Sequence, residues 1–230
     1  MLVPAAVRGV ASVVVVGMAL TACSKVADPS PDVAGTPAAV LRPAPSDFYG
    51  TSVAAVRRPE LTLRDTDGSR FALADRPVDE VTVVFFGYTH CPDVCPTTMA
   101  DLAAARRQLP ATVRDRVTVV FVTEDPARDT PRVLRSWLDR MDPAFVGLRG
   151  GNDKTQRVLD ELYLPQSRRV TAPTPAVVHP QDGHEHPGEY EIEHSGIVYA
   201  FGPDGNTVIY SGGTTPRQYA DDFTRLAAGA

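Results

Sequence analysis

A chain of 230 residues with 43% hydrophobic content can bury one substantial core, and its net charge of −5, without a basic stripe, gives nucleic-acid binding no electrostatic support. The length points to one domain plus extensions. Three cysteines leave an odd thiol in an oxidising compartment unless one has a separate fate.

The first extension is N-terminal. Arg8 precedes an apolar run from Val10 to Leu20 that is too short to span a bilayer as a mature helix and suits the core of a signal peptide. The run ends at Leu20-Thr21-Ala22-Cys23, which resembles the lipobox of bacterial lipoproteins, with cleavage before Cys23 and acylation of its thiol. An ordinary signal peptide with an incidental cysteine is the plainer alternative. On the lipoprotein reading, residues 1–22 are removed and Cys23 anchors the chain at the extracytoplasmic face of a bacterial membrane. One cysteine pair then remains. Residues 23–57 are rich in Pro, Ala, Ser and Asp with little periodicity, and read as a disordered tether to a folded domain over 58–230.

Within that domain, Leu61-Thr62-Leu63-Arg64-Asp65 and Arg70-Phe71-Ala72-Leu73 alternate on either side of Asp67-Gly68, predicting an N-terminal β-hairpin. Val81 to Gly87 is a nearly continuous apolar strand of the kind buried on both faces. A helix follows from about Pro96 to Gln108, with Cys95 as its cap and Pro96 at its first position. Strand Val117 to Thr123 leads into a loop from Glu124 to Pro131. Thr130 caps the next helix, which turns Val133, Leu134, Trp137 and Met141 toward the core. A short strand from Phe145 to Leu148 precedes a helix beginning near Asn152, with Val158, Leu159 and Leu162 on one face. Thr171 to Gly188 is loop and holds His179, His184 and His186. Ile192 to Phe201 and Thr207 to Tyr210 are strands around a turn at Pro203-Asp204-Gly205-Asn206, and Thr215-Pro216 starts a final helix to about Ala227. Alternating strands and helices give a three-layer α/β domain with a mixed central sheet.

The stretch Gly87-Tyr88-Thr89-His90-Cys91-Pro92-Asp93-Val94-Cys95-Pro96 places two thiols where a strand hands over to a helix. Free N–H groups and the positive end of the helix dipole favour thiolate there. At i and i+4 of a helical turn, Cβ atoms lie about 5–6 Å apart, against about 3.5–4.5 Å in a disulfide. One soft metal ion bridges such a pair readily, and a disulfide needs the turn to tighten. A structural disulfide is a weak reading, because closing so short a loop removes little unfolded-state entropy.

Three separated segments carry a resemblance: the cysteine stretch, Asp125-Pro126-Ala127-Arg128-Asp129-Thr130-Pro131, and Tyr190-Glu191-Ile192-Glu193-His194-Ser195. In this order they resemble the Sco/SenC family of membrane-tethered copper proteins that help assemble the binuclear copper centre of cytochrome c oxidase. The likeness covers about Pro59 to Phe223 and implies a thioredoxin-like fold. It also implies copper, as Cu(I) or Cu(II), on Cys91, Cys95 and His194, and as partner the oxidase's copper-binding subunit. Two thiolates and an imidazole suit that metal. Asp125 matches the family's loop aspartate and is expected to orient a ligand or bond a backbone amide, against a plain pairing with Arg128. His90 is expected behind the ligands or packed in the loop. Glu124 stands where a smaller residue is expected. The histidines at 179, 184 and 186 offer loose copper holding, or simply a solvated loop.

Two functions use the same residues. A copper carrier needs His194. A thiol-disulfide reductase that keeps a partner's cysteines ready for metal needs only the redox pair Cys91 and Cys95. A peroxidase usually has threonine or serine three residues before its reactive cysteine, and Tyr88 and Pro92 stand there instead. The expectation is a monomeric metallochaperone rather than an enzyme.

Overall fold

A computed structural model of the chain describes residues 47–53, 56–171 and 190–229. The signal segment, Cys23, the tether up to residue 46, and His179, His184 and His186 lie outside the described residues. Among the described residues no helix is long and apolar enough to cross a membrane.

The chain runs β1 (Thr51–Val53), β2 (Thr62–Asp65), β3 (Arg70–Ala72), β4 (Val81–Gly87), α1 (Val94–Gln108), α2 (Ala111–Arg114), β5 (Val117–Thr123), α3 (Pro131–Asp139) and β6 (Val146–Arg149). It continues through α4 (Asn152–Glu161), β7 (Arg168–Thr171), β8 (Tyr190–Glu193), β9 (Val198–Phe201), β10 (Thr207–Tyr210) and α5 (Pro216–Ala227). Eight strands form one mixed sheet in the order β1-β10-β9-β4-β5-β6-β2-β3, and β7 pairs with β8 in a separate two-stranded sheet. Strands β4, β5 and β6 are parallel, and β9 joins β4 antiparallel. This is the expected α/β architecture with a mixed sheet and an N-terminal hairpin.

Every residue of β4 is buried, and alternation along it divides the core in two. Val81, Val83 and Phe85 face Met99 and Leu102 of α1, Leu134 and Trp137 of α3, and Phe223 of α5. Val84 and Phe86 face Val120, Val122 and Leu148, with Val158 and Leu159 of α4 covering them. Helices therefore close both faces, and ligand-bearing loops are left at the strand ends.

Several boundaries differ from the sequence reading. Helix α1 begins at Val94 with Asp93 as its cap residue, so Cys95 lies inside the first turn and Pro96 follows it. A proline fits there because N–H groups of the first turn have no intrahelical acceptor. Thr130 does cap α3, accepting from Val133 N–H at 3.3 Å, but Leu138 enters the core with Leu134 and Trp137, while Val133 and Met141 are half-buried. The single strand expected from Ile192 to Phe201 is two, broken after Glu193 by a segment in which Gly196 adopts a φ of 59°. Strand β1 falls in the stretch expected as tether. It pairs with β10, and Asp222 accepts hydrogen bonds from the N–H groups of Tyr49 and Gly50, at 3.1 and 3.0 Å. The helical turn α2 and strand β7 have no counterpart in the sequence reading.

Candidate metal centre

Strand β4 ends at Gly87, and the chain then turns so that Cys91 N–H donates to the Tyr88 carbonyl at 3.2 Å. Cys95 follows in the first turn of α1, where its N–H donates to Cys91 Sγ at 3.5 Å. That donor comes from a helix N-terminus, which favours a thiolate acceptor. Glycine at position 87 is a packing requirement: a Cβ there would lie 2.6 Å from Cys95 Sγ. The buried sulfur rests directly on the backbone. Both cysteines are free thiols.

His194 lies just past the end of β8, not at the start of a strand as the sequence suggests. Its Nε2 is 3.6 Å from Cys91 Sγ and 3.5 Å from Cys95 Sγ. The three donor atoms all fall within 4.8 Å of one another. Tyr88 and Phe85 meet the imidazole edge to face, with ring centroids 5.5 and 6.2 Å away, and its side chain is 4% exposed.

The charges of the site are unequal. Cys91 is pulled down to about 3, chiefly by the hydrogen bond from the Cys95 sulfhydryl, with His194 and the N–H groups of Asp93 and Cys95 adding to it against burial. Cys95 moves the opposite way, because it keeps the proton it donates to Cys91 and is buried. Burial works to lower His194, but its bond to Cys91 and the negative charges of Glu124 and Cys91 outweigh this and raise it. Burial pushes Glu124 up to about 7, against the pull of His194 and Ser167. At neutral pH the pair is one thiolate and one thiol. Two sulfurs and one imidazole nitrogen in an apolar box match a soft, low-coordinate ion better than a structural zinc, which takes four protein ligands.

Asp125 lies close by but is engaged elsewhere. Its carboxylate takes the Arg128 guanidinium and accepts from the Tyr190 hydroxyl at 2.8 and 3.0 Å. Arg128 in turn donates to the Tyr190 carbonyl at 2.9 Å and stacks 3.7 Å over its ring. The plain pairing with Arg128 is present, and through Tyr190 it also fixes the first residue of β8, the strand that delivers His194. His90 points outward, half exposed, with Nδ1 3.1 Å from Thr89 Oγ1 and 3.8 Å from the Asp129 carboxylate. It stands outside the donor set.

Two further residues support the site, Asp129, which has no assigned role in the sequence reading, and Glu124, noted there only for its size. Asp129 is fully buried and accepts from Thr89 N–H at 3.1 Å, Thr89 Oγ1 at 2.6 Å and Thr123 Oγ1 at 2.5 Å, so it ties the cysteine loop to the end of β5. Its place in the Asp125 to Pro131 segment was the available signal. Glu124 is buried behind the imidazole, with Oε2 3.7 Å from His194 Nδ1. Its only sequence signal was its size.

Comparison with known proteins agrees with this geometry. The chain is 36% identical over 148 residues, 64% of its length, to a Stutzerimonas stutzeri protein provisionally named as copper-binding, and the match spans 65% of that protein. The chain thus spans about two thirds of the length of this curated relative. The structure of Bradyrhizobium japonicum ScoI with copper bound is 29% identical with a TM-score of 0.58, covering 75% of this chain and 99% of that one. Solution structures of apo Sco1 from Thermus thermophilus are 29% identical with a TM-score of 0.60, covering 81% and 99%. The SCO1/SenC family model matches residues 51–228, a span that takes in both cysteines, His194 and every strand and helix described above, and the chain therefore belongs to the SCO1/SenC family.

Proposed function

We propose that the protein is an extracytoplasmic copper carrier, tethered to the membrane through Cys23, that holds one copper ion on Cys91, Cys95 and His194 and passes it to the binuclear copper site of cytochrome c oxidase. The observation that carries this reading is the meeting of two free thiols and one imidazole nitrogen within 4.8 Å. Copper on a ScoI structure that is 29% identical supports the choice of metal. Family membership supports the acceptor.

The chain's own residues explain how such a cargo is held and released. Cys91 is already ionised and offers a charged sulfur at the site's outer side. Cys95 gives up a proton as it ligates, as does His194 where its ring is doubly protonated, which couples uptake to pH. Tyr88 and Phe85 exclude water around the imidazole, so the donors compete little with solvent. Release proceeds by ligand exchange, the acceptor's sulfurs replacing these three donors one at a time.

Anaerobic copper titration of the whole protein tests the assignment. The expected result is about one copper per chain from the single donor set, with retention lost in Cys91→Ala and Cys95→Ala and measurably weakened in His194→Ala, which keeps both sulfurs. A His194→Ala chain that binds like wild type overturns the ligand set. It also moves the weight to a second reading, thiol-disulfide reduction of the acceptor's cysteines, which the low pKa of Cys91 favours. In that chemistry the Cys91 thiolate attacks a partner disulfide, Cys95 completes the exchange, and the pair ends as a disulfide.

A further inference from the structure

Glu124 is an expensive residue to bury. Its side chain is 1% exposed, its Oε2 has no hydrogen-bond partner, and no lysine or arginine pairs with it among the described residues. An isolated carboxylate in such surroundings costs several kcal/mol. The group it faces also lacks a well-formed bond: His194 Nδ1 is buried with no partner at hydrogen-bond geometry, although the Phe86 carbonyl acts on the ring, and it lies 3.7 Å from Glu124 Oε2. Two complementary orphan atoms thus look at each other across a gap roughly half an ångström wider than a hydrogen bond. The carboxylate is also held from behind. Ser167 hydrogen-bonds to it, and Gln156 Nε2 donates to Ser167 Oγ at 2.5 Å.

We infer that Glu124 is a positioning residue for the third metal ligand: it accepts the Nδ1–H of His194, so that Nε2 is presented to Cys91 and Cys95, and it makes that nitrogen a stronger donor to oxidised copper. The proposal rests on the copper reading and deepens it. A ring nitrogen's role is set by the bond the other nitrogen makes, and a carboxylate behind a ligating imidazole raises its basicity. Glycine, alanine or an aliphatic side chain at position 124 would take away the carboxylate and leave the imidazole only the Phe86 carbonyl behind it. The Gln156–Ser167–Glu124 chain aims one oxygen at the ring.

Three variants of the whole protein test this: Glu124→Gln, which keeps an acceptor oxygen without charge, Glu124→Leu, which removes both, and the double variant Glu124→Leu/His194→Ala. Without metal, the wild-type spectrum should contain a slowly exchanging, downfield Nδ1–H proton on His194 that Glu124→Leu abolishes and Glu124→Gln retains in weakened form. With copper, Glu124→Leu should hold Cu(II) about 10–100-fold more weakly, with Glu124→Gln between, and the copper potential should rise in the same order. Once His194 is alanine, adding Glu124→Leu should weaken binding no further. Absence of the Nδ1–H proton in wild type, or an equal loss of copper affinity when Glu124→Leu is made in the His194→Ala background, overturns the proposal. Failure of the wild-type protein to bind copper overturns the carrier reading, and the proton signal then decides the positioning role alone.

Discussion

Gly87 and Cys95 share one space: the sulfur occupies the volume that any Cβ at position 87 would fill, at a separation of 2.6 Å. Gly87→Ala should therefore displace Cys95 Sγ, the movable partner, and leave the strand register intact. The expected outcome is a cooperative folded protein destabilised by about 1–3 kcal/mol, with copper retention weakened far more than its melting temperature suggests. Circular dichroism and copper competition on the same samples check it. Unchanged copper affinity would show that the thiol finds another rotamer that serves as well.

The unequal thiols predict selective chemistry. A thiol at its ordinary value of 9 is ionised to about one part in ten thousand at pH 5, whereas Cys91, pulled down to about 3, is fully thiolate there. Iodoacetamide at pH 5 should label Cys91 alone, as read by mass spectrometry. Cys91→Ser should take up almost no label at that pH. Equal labelling of Cys91 and Cys95 would contradict the arrangement.

Metal uptake should release protons. Cys95 is raised and carries a proton that ligation removes, His194 is shifted toward its doubly protonated form, and Cys91, pulled down to about 3, carries none near neutrality. About one to two protons per copper are expected in weakly buffered solution, the count rising as pH is lowered through the range in which His194 becomes doubly protonated, and affinity should fall as pH falls. An indicator dye recorded alongside the titration reads the stoichiometry. His194→Ala should lower the proton count as well as the affinity.

Glu124 predicts how apo stability depends on pH. Its folded value, pushed up to about 7 by burial, lies above the ordinary 4.5, so the folded chain holds a proton that the unfolded chain has already released. The contribution is complete below about 4.5 and is lost as pH rises through 7. Apo Glu124→Gln should therefore match wild type in acid and exceed it at pH 8 and above, by ~3 kcal/mol at most. Urea unfolding at several pH values measures the crossover. Paired with the copper experiments, it would show one carboxylate that burdens the empty site and serves the filled one.

Removing Asp129 should loosen the loop without touching a sulfur. Asp129→Ala removes the buried acceptor of Thr89 N–H and of the Thr89 and Thr123 hydroxyls at the strand end. A loss of roughly 1–3 kcal/mol is expected from groups buried without partners, read by chemical denaturation. Wild-type stability would mean that water replaces the carboxylate.

Much of this was legible before the fold was known, for physical reasons. A run such as Val81 to Gly87 is apolar at every position because β4 is covered on both faces, and Thr215-Pro216 marks the start of α5 because a hydroxyl cap and an N1 proline are local devices. The cysteine pair was legible because its chemistry is also local. The approach of His194 was legible only through the family resemblance and not from spacing, since it depends on β8 leaving the main sheet to pair with β7, and neither β7 nor the break before β9 has a strong signal of periodicity. Glu124 was illegible as a partner for the same reason. A carboxylate at the end of a parallel strand acquires meaning only from what the topology sets opposite it.

The two sulfurs belong to the large sheet and its first helix, whereas the imidazole hangs from the small β7–β8 ribbon, pinned to the rest by the Asp125, Arg128 and Tyr190 cluster. The candidate donor set is thus divided between two pieces of architecture. On the proposed carrier role, the imidazole could let go while both sulfurs keep hold, so that a recipient would meet an ion already short of a partner without any disturbance of the hydrophobic interior.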